Sequence, residues 1–256
     1  MTKKITVIIL VFSLITLAGC VSTSEFTKEE RFDMITESSN EVTYMDLTMT
    51  GNIIYEVISP DMTEPMVMDM VTTQDLKMDM SDVNNVKTYQ KIHMEGMGQE
   101  MDMTLFILDS VIYIETQGVK MKMPASIEDL EEIQKAATPL IINSSDLDEL
   151  IMEKDGDTYV LTYSVSPDKL ENYQEFFDTL INSIELGTGL EMEFDYLSGS
   201  YTVLADNTMI SATMDMGMTM AVEGVSISAE AKMDNIYNSF NKPLTIEYPN
   251  LEEYKE

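Results

Sequence analysis

Tryptophan is absent from this chain of 256 residues, and cysteine and histidine occur once each, as Cys20 and His93. A lone cysteine excludes an intramolecular disulfide, so an apolar core must hold the fold, and 44% hydrophobic residues can supply one. A lone histidine leaves Ser/His/Asp chemistry a single route, through His93, and no Gly-x-Ser-x-Gly, His-Glu-x-x-His or P-loop pattern occurs. Basic residues are scarce: 15 Lys and Arg stand against 46 Asp and Glu. Such a surface repels nucleic acid phosphates and anionic lipid head groups, which excludes nucleic acid as a partner. No apolar run reaches the about 20 residues that a membrane-spanning helix needs.

The longest apolar run, Ile5–Leu17, follows Lys3 and Lys4 and is closed by Leu17-Ala18-Gly19-Cys20. A basic start, a short apolar centre and small residues before the only cysteine read as a secretory signal ending in a lipobox. Residues 1–19 are then a removable signal peptide, and Cys20 is the lipidated N-terminus of a membrane-anchored extracytoplasmic protein. Cleavage loses Lys3 and Lys4 and no acidic residue, leaving 13 basic against 46 acidic side chains, a formal charge of −33. Residues 20–26 form a short tether, and residues 27–256 one domain.

Thr27-Lys28-Glu29-Glu30 is a capping box, and Phe32 and Ile35 mark an apolar face, so a helix is expected over Thr27–Ser39. The period then becomes two. Tyr44–Thr50, Met66–Met70, Lys77–Met80, Glu100–Leu105, Ile112–Ile114 and Val119–Pro124 read as strands. Helices are expected from Ser126 to near Ala137, from Ser145 onward, and from Pro167 to about Leu186. Strands return at Tyr159–Val165, Glu191–Leu197, Ser200–Ala205, Met209–Val222, Ile227–Met233 and Leu244–Tyr248. Gly96 and Gly98 flank Met97 between the even-numbered Met94 and the odd-numbered Met101, which requires a turn or bulge there. The pattern predicts an α+β fold with helices on one face of an antiparallel sheet.

Twenty-four methionines are the second unusual feature, most of them at every second residue. Parity sends Met66, Met68, Met70, Met101, Met103, Met214, Met216, Met218 and Met220 inward. These rows are open to three readings: core filler between sheet and helices, the adaptable lining of an apolar ligand site, or thioether ligands for soft metal. A lone His93 and an acylated Cys20 argue against metal. Alternation puts His93 on the outer face opposite Ile92 and Met94, as a solvated strand histidine. Asp155-Gly156-Asp157 lacks the further oxygens of a calcium loop and is a turn.

The strand style resembles that of the half-barrel lipoproteins, namely the Lol-system carriers, the LppX/LprG carriers and their bacterial surface relatives. The residues that carry it are the lipobox and N-terminal helix feeding Tyr44–Met49, then Ile112–Ile114 with Lys120–Pro124. Tyr201–Val203, Met214–Met218 and Tyr237–Pro243 before Ile246–Pro249 continue it. The resemblance implies a single curved sheet, or half-barrel, packed around several helices and enclosing an apolar cavity. It also implies lipid or lipoprotein handling. The expected function is therefore non-enzymatic binding or carrying of a lipid or acyl chain, with no cofactor and no catalytic or metal residues. The alternative is a cell-surface scaffold lipoprotein with a packed methionine core and no ligand.

Overall fold

The computed structural model describes residues 26–40, 42–62, 64–82, 85–125, 142–173, 191–222 and 225–255. The signal, the lipobox with Cys20, the tether up to Glu25 and the helix expected from Ser126 lie outside them. The first helix, α1 (Lys28–Asn40), begins at the capping box. The Glu30 amide donates to Thr27 Oγ1 at 3.1 Å, and the Thr27 amide donates to Glu30 Oε2 at 2.9 Å.

Period-two alternation then builds eleven strands: β1 (Tyr44–Ile58), β2 (Met66–Asp79), β3 (Lys87–Gly96), β4 (Gln99–Leu108), β5 (Val111–Thr116) and β6 (Val119–Pro124). After a long connection come β7 (Glu149–Asp155), β8 (Thr158–Val165), β9 (Glu191–Leu204), β10 (Met209–Val222) and β11 (Val225–Phe240). Met97–Gly98, Asp109–Ser110 and Gln117–Gly118 turn three of the hairpins with positive φ at both residues. That geometry matches the twist of the flanking strands. The turn at Met97 resets parity, so that Met94 and Met101 stand opposite each other.

The sheet is curved and open, in the order β6-β5-β4-β3-β2-β1-β11-β10-β9-β8-β7. It is a meander bent back on itself: the first strand pairs with the last, and the seam is left between β6 and β7. Every pairing is antiparallel, which suits hairpin connections.

Several local expectations gave way to tertiary pairing. The helix expected from Ser145 is only a 3-10 turn, Ser144–Asp146, followed by β7, because Leu150 and Met152 alternate inward against β8. Glu191–Leu197 and Ser200–Ala205 join into one strand through Gly199, which lies against the Tyr163 side chain. The helix from Pro167 is described as α2 (Pro167–Leu170) and a 3-10 turn to Tyr173; residues 174–190 lie outside the described part. Two α-helices are thus seen among the described residues, and the protein is mostly β. Leu244–Tyr248 forms no strand, since its aromatic side chain packs on the sheet's outer face.

The main core lies where α1 meets β8, β9 and β10. Phe32 and Ile35 are fully buried there, and each contributes about 1.5–3 kcal/mol by burial. The Phe32 ring meets Tyr163 edge-on at 5.4 Å, and Tyr163 stacks on Tyr201 at 5.4 Å. A second core sits on the outer face. There Phe106 stacks on Tyr113 at 4.6 Å, and the C-terminal Tyr248 and Tyr254 close over Phe106. Lys255 continues this segment by bridging to Met121, which covers part of the β6 edge.

A Cβ at position 199 would lie 2.3 Å from the Thr213 carbonyl oxygen and 2.7 Å from the Tyr163 hydroxyl. Gly199→Ala is therefore expected to cost about 1–3 kcal/mol, read as a lower denaturation midpoint. Burial pushes the phenols of Tyr163 and Tyr237 up to about 12. The raised folded-state values place their stability contribution fully below the unfolded value of about 10, and it is lost as pH rises toward 12. Alkaline titration should show these phenolates forming only as the protein unfolds.

Candidate functional site

Residues directly opposite in an antiparallel ladder point to the same face, so the registers fix which side chains share the inner surface. One row across the sheet runs Met101, Met94, Thr72, Gly51, Met233, Met214, Gly199. The row beside it runs Met103, Ile92, Gln74, Met49, Asn235, Ala212, Tyr201. On the other side lie Gly96, Met70, Ile53, Ala231, Met216 and Leu197, then Met68, Tyr55, Ala229, Met218 and Phe194. Met66, Val57, Ile227 and Met220 form the last row. A β9 bulge at Asp195, where Gly217 and Met218 pair with Tyr196 and Phe194, keeps Phe194 and Leu197 on this face.

All nine methionines singled out from the sequence thus share one surface, but they divide into three environments. Met214, Met216 and Met218 pack against the main core. Met68, Met70, Met103 and Met220 are half-buried. Met66 and Met101 are 42% and 38% exposed, so the half of the face on β2 and β4 is open at its rim.

Among the described residues, none of the side chains in these five rows carries a charge. The neighbouring positions on the same strands carry many: Asp69, Asp75, Lys91, Glu95, Asp102, Asp215 and Glu230 all lie on the opposite face. In a chain with 46 carboxylates this segregation is nearly complete over the centre of the sheet. What remains on the inner face is hydrocarbon, thioether, and a few neutral polar groups such as Thr72, Gln74, Asn235 and Tyr201.

The outer face is different in kind. His93 lies there, as alternation predicts, and its Nδ1 is 2.8 Å from Asp102 Oδ1. That hydrogen bond holds the imidazole above its usual 6.5. The pair is exposed and faces no cavity. A shallow cleft of about 380 Å³ is lined by Asp46, Asp75, Lys77, Tyr89, Lys91 and Asn238. Its carboxylates are already engaged: Lys77 stands 3.7 Å from Asp46, Asn238 donates to Asp46 at 3.1 Å, and Thr48 donates to Asp75 at 2.9 Å. Among the described residues, no three His, Cys, Asp or Glu side chains converge as a metal site.

Sequence reasoning missed Arg31, the single arginine of the chain. It is buried against Tyr159, whose ring centroid lies 3.8 Å from the guanidinium. Nη1 donates to the Leu204 and Ala205 carbonyls and to Asn207 Oδ1, which ties α1 to the β9–β10 turn. Its position beside Phe32 on the apolar stripe was the available signal. Asn235 was missed because it occupies an inner position in a strand of otherwise unremarkable alternation.

No helix among the described residues is long and apolar enough to cross a membrane. No curated protein matches the chain. Solved structures similar to it include LprF from Mycobacterium bovis, with 8% identity and a TM-score of 0.44 over 87% of this chain and 96% of that one. Lipovitellin aligns with 8% identity and a TM-score of 0.37 over 83% of this chain and 27% of its own. A putative outer membrane lipoprotein-sorting protein domain from Vibrio parahaemolyticus aligns with 10% identity and a TM-score of 0.19, over 84% and 92%. A family model matches residues 27–251, and the chain belongs to that family, described as a family of unknown function, DUF6612.

Proposed function

We propose that this protein is a non-enzymatic, lipid-anchored extracytoplasmic carrier that holds an apolar ligand, a lipid or acyl chain, against the inner face of its sheet. The observation that carries the reading is the five-row inner surface without a charged side chain, partly unsealed at Met66 and Met101. Burying hydrocarbon on such a surface gains about 25 cal/mol for each Å² removed from water. Methionine side chains, unbranched and polarizable, adapt to a ligand of irregular shape. Helices on the inner side would complete the half-barrel around the ligand. The strongly acidic outer face keeps the body off an anionic bilayer, while the acyl group on Cys20 keeps it tethered.

Purified protein extracted with organic solvent is expected to release lipid reproducibly by mass spectrometry. An empty extract would favour the scaffold alternative, in which the methionines are filler. Peroxide oxidation tests the face itself. Met97, 76% exposed at its turn, should oxidise fastest and the 38–44% exposed Met34, Met62, Met66, Met101, Met121 and Met123 next, while Met214, Met216 and Met218 lag. Added lipid should protect Met66 and Met101; oxidation of all these sites at the rate of an unfolded control would exclude a ligand face. Changing Cys20 to Ala should abolish acyl labelling and release the protein from membranes; retained labelling would refute the anchor.

A further inference from the structure

The inner face holds two buried side-chain atoms without a hydrogen-bond partner among the described residues, Thr88 Oγ1 on β3 and Asn235 Oδ1 on β11. Asn235 stands near the middle of the sheet on β11, between Met49 of β1 and Ala212 of β10. Its Oδ1 is buried and has no hydrogen-bond partner among the described residues. A buried acceptor left unmet costs about 1–3 kcal/mol, so its retention at an inner position calls for a reason.

Its surroundings supply one. Tyr237 follows two residues on along β11, on the same face and roughly 6.5–7 Å away. Beyond Ala212 in the same row lies Tyr201. Burial holds these phenols protonated, Tyr237 up to about 12, so Tyr237 remains a neutral donor. The inner face here carries an amide acceptor and a phenolic donor two residues apart on one strand, beside Met49 and Ala212. Neither Lys, Arg nor His stands on these rows to balance a carboxylate or phosphate, and no Asp or Glu stands there to balance an ammonium.

We infer that the inner face binds a lipid whose head is uncharged and carries a hydroxyl, with that O–H donating to Asn235 Oδ1 and its oxygen accepting from Tyr237. Long-chain alcohols and monoacylglycerols have this chemistry; fatty-acid anions and phospholipids do not. A charged head would have to enter these rows without a counter-charge among their described side chains, which is costly in a low-dielectric site. The inference rests on the carrier reading of the same surface and adds the class of head group to it.

The test is displacement of the hydrocarbon probe diphenylhexatriene from the purified full chain stripped of bound lipid. Competitors are an alkane, the corresponding primary alcohol and the corresponding fatty-acid anion at neutral pH, all of equal chain length. The alcohol is expected to compete about tenfold better than the alkane, the size of one hydrogen bond, and better still than the anion. Asn235→Leu, which replaces the unmet amide by an apolar group of similar size, should erase the alcohol's advantage over the alkane, its denaturation midpoint showing that the variant folds. Tyr237→Phe should reduce it in part. Equal competition by the anion, or an alcohol preference that survives in Asn235→Leu, would overturn the inference while leaving the carrier reading intact. Failure of the probe itself to bind would overturn both.

Discussion

The pairing of β1 with β11 is the contact on which the rest of the architecture depends. It runs from Met45 opposite Phe240 to Ile58 opposite Ser226 and joins the two ends of the chain at the middle of the sheet. Each flanking meander, β2–β6 and β7–β10, assembles from hairpins of low sequence separation, but neither has a partner face until the central pair closes. Long-range pairing must overcome the loop-closure entropy of almost the whole domain before it is rewarded. It also dictates where the edges fall, at β6 and β7, and so where the sheet stays open. The C-terminal segment, reaching back to Met121 and the Lys120 and Lys122 backbone, covers one of those edges.

The same pairing brings the methionine rows into line. Met214 and Met216 on β10 reach the level of Met101 and Met70 only because β11 and β1 hold their registers between them. A slip of one residue would exchange thioethers for carboxylates across the entire face. Charge segregation therefore does two jobs. It makes the correct register far lower in energy than its neighbours, since a slipped register would bury Asp and Glu. It also produces a broad neutral surface in a protein whose exterior is strongly anionic.

Arg31 and Asn235 show how polar groups are handled on that surface. Arg31 is a buried cation without a carboxylate partner among the described residues, and it is offset by backbone carbonyls, the Asn207 side chain and the Tyr159 ring, which lock α1 to the end of the sheet. The guanidinium can do this because its planar fork donates to several acceptors at once and stacks on an aromatic ring. Asn235 Oδ1, like Arg31 Nε, is buried without a hydrogen-bond partner among the described residues. Arg31 ties a helix to the sheet all the same, whereas Asn235 sits near the middle of the apolar face.

The sequence by itself determined what depends on near neighbours. The capping box of Thr27 and Glu30, the buried pair Phe32 and Ile35, the parity of each methionine row, the outward His93 and the turn at Met97 all follow from spacings of two to four residues. They were legible because helix and strand periods are local properties of the chain. Tertiary structure alone decided which strands lie side by side, that residues after Ser145 join the sheet as β7, and that Tyr248 and Tyr254 cross the outer face instead of extending it. It also placed Asn235 between Met49 and Ala212, and across Ala212 from Tyr201. These outcomes turn on cross-strand registers between residues far apart in sequence, where pairing and burial outweigh local propensity.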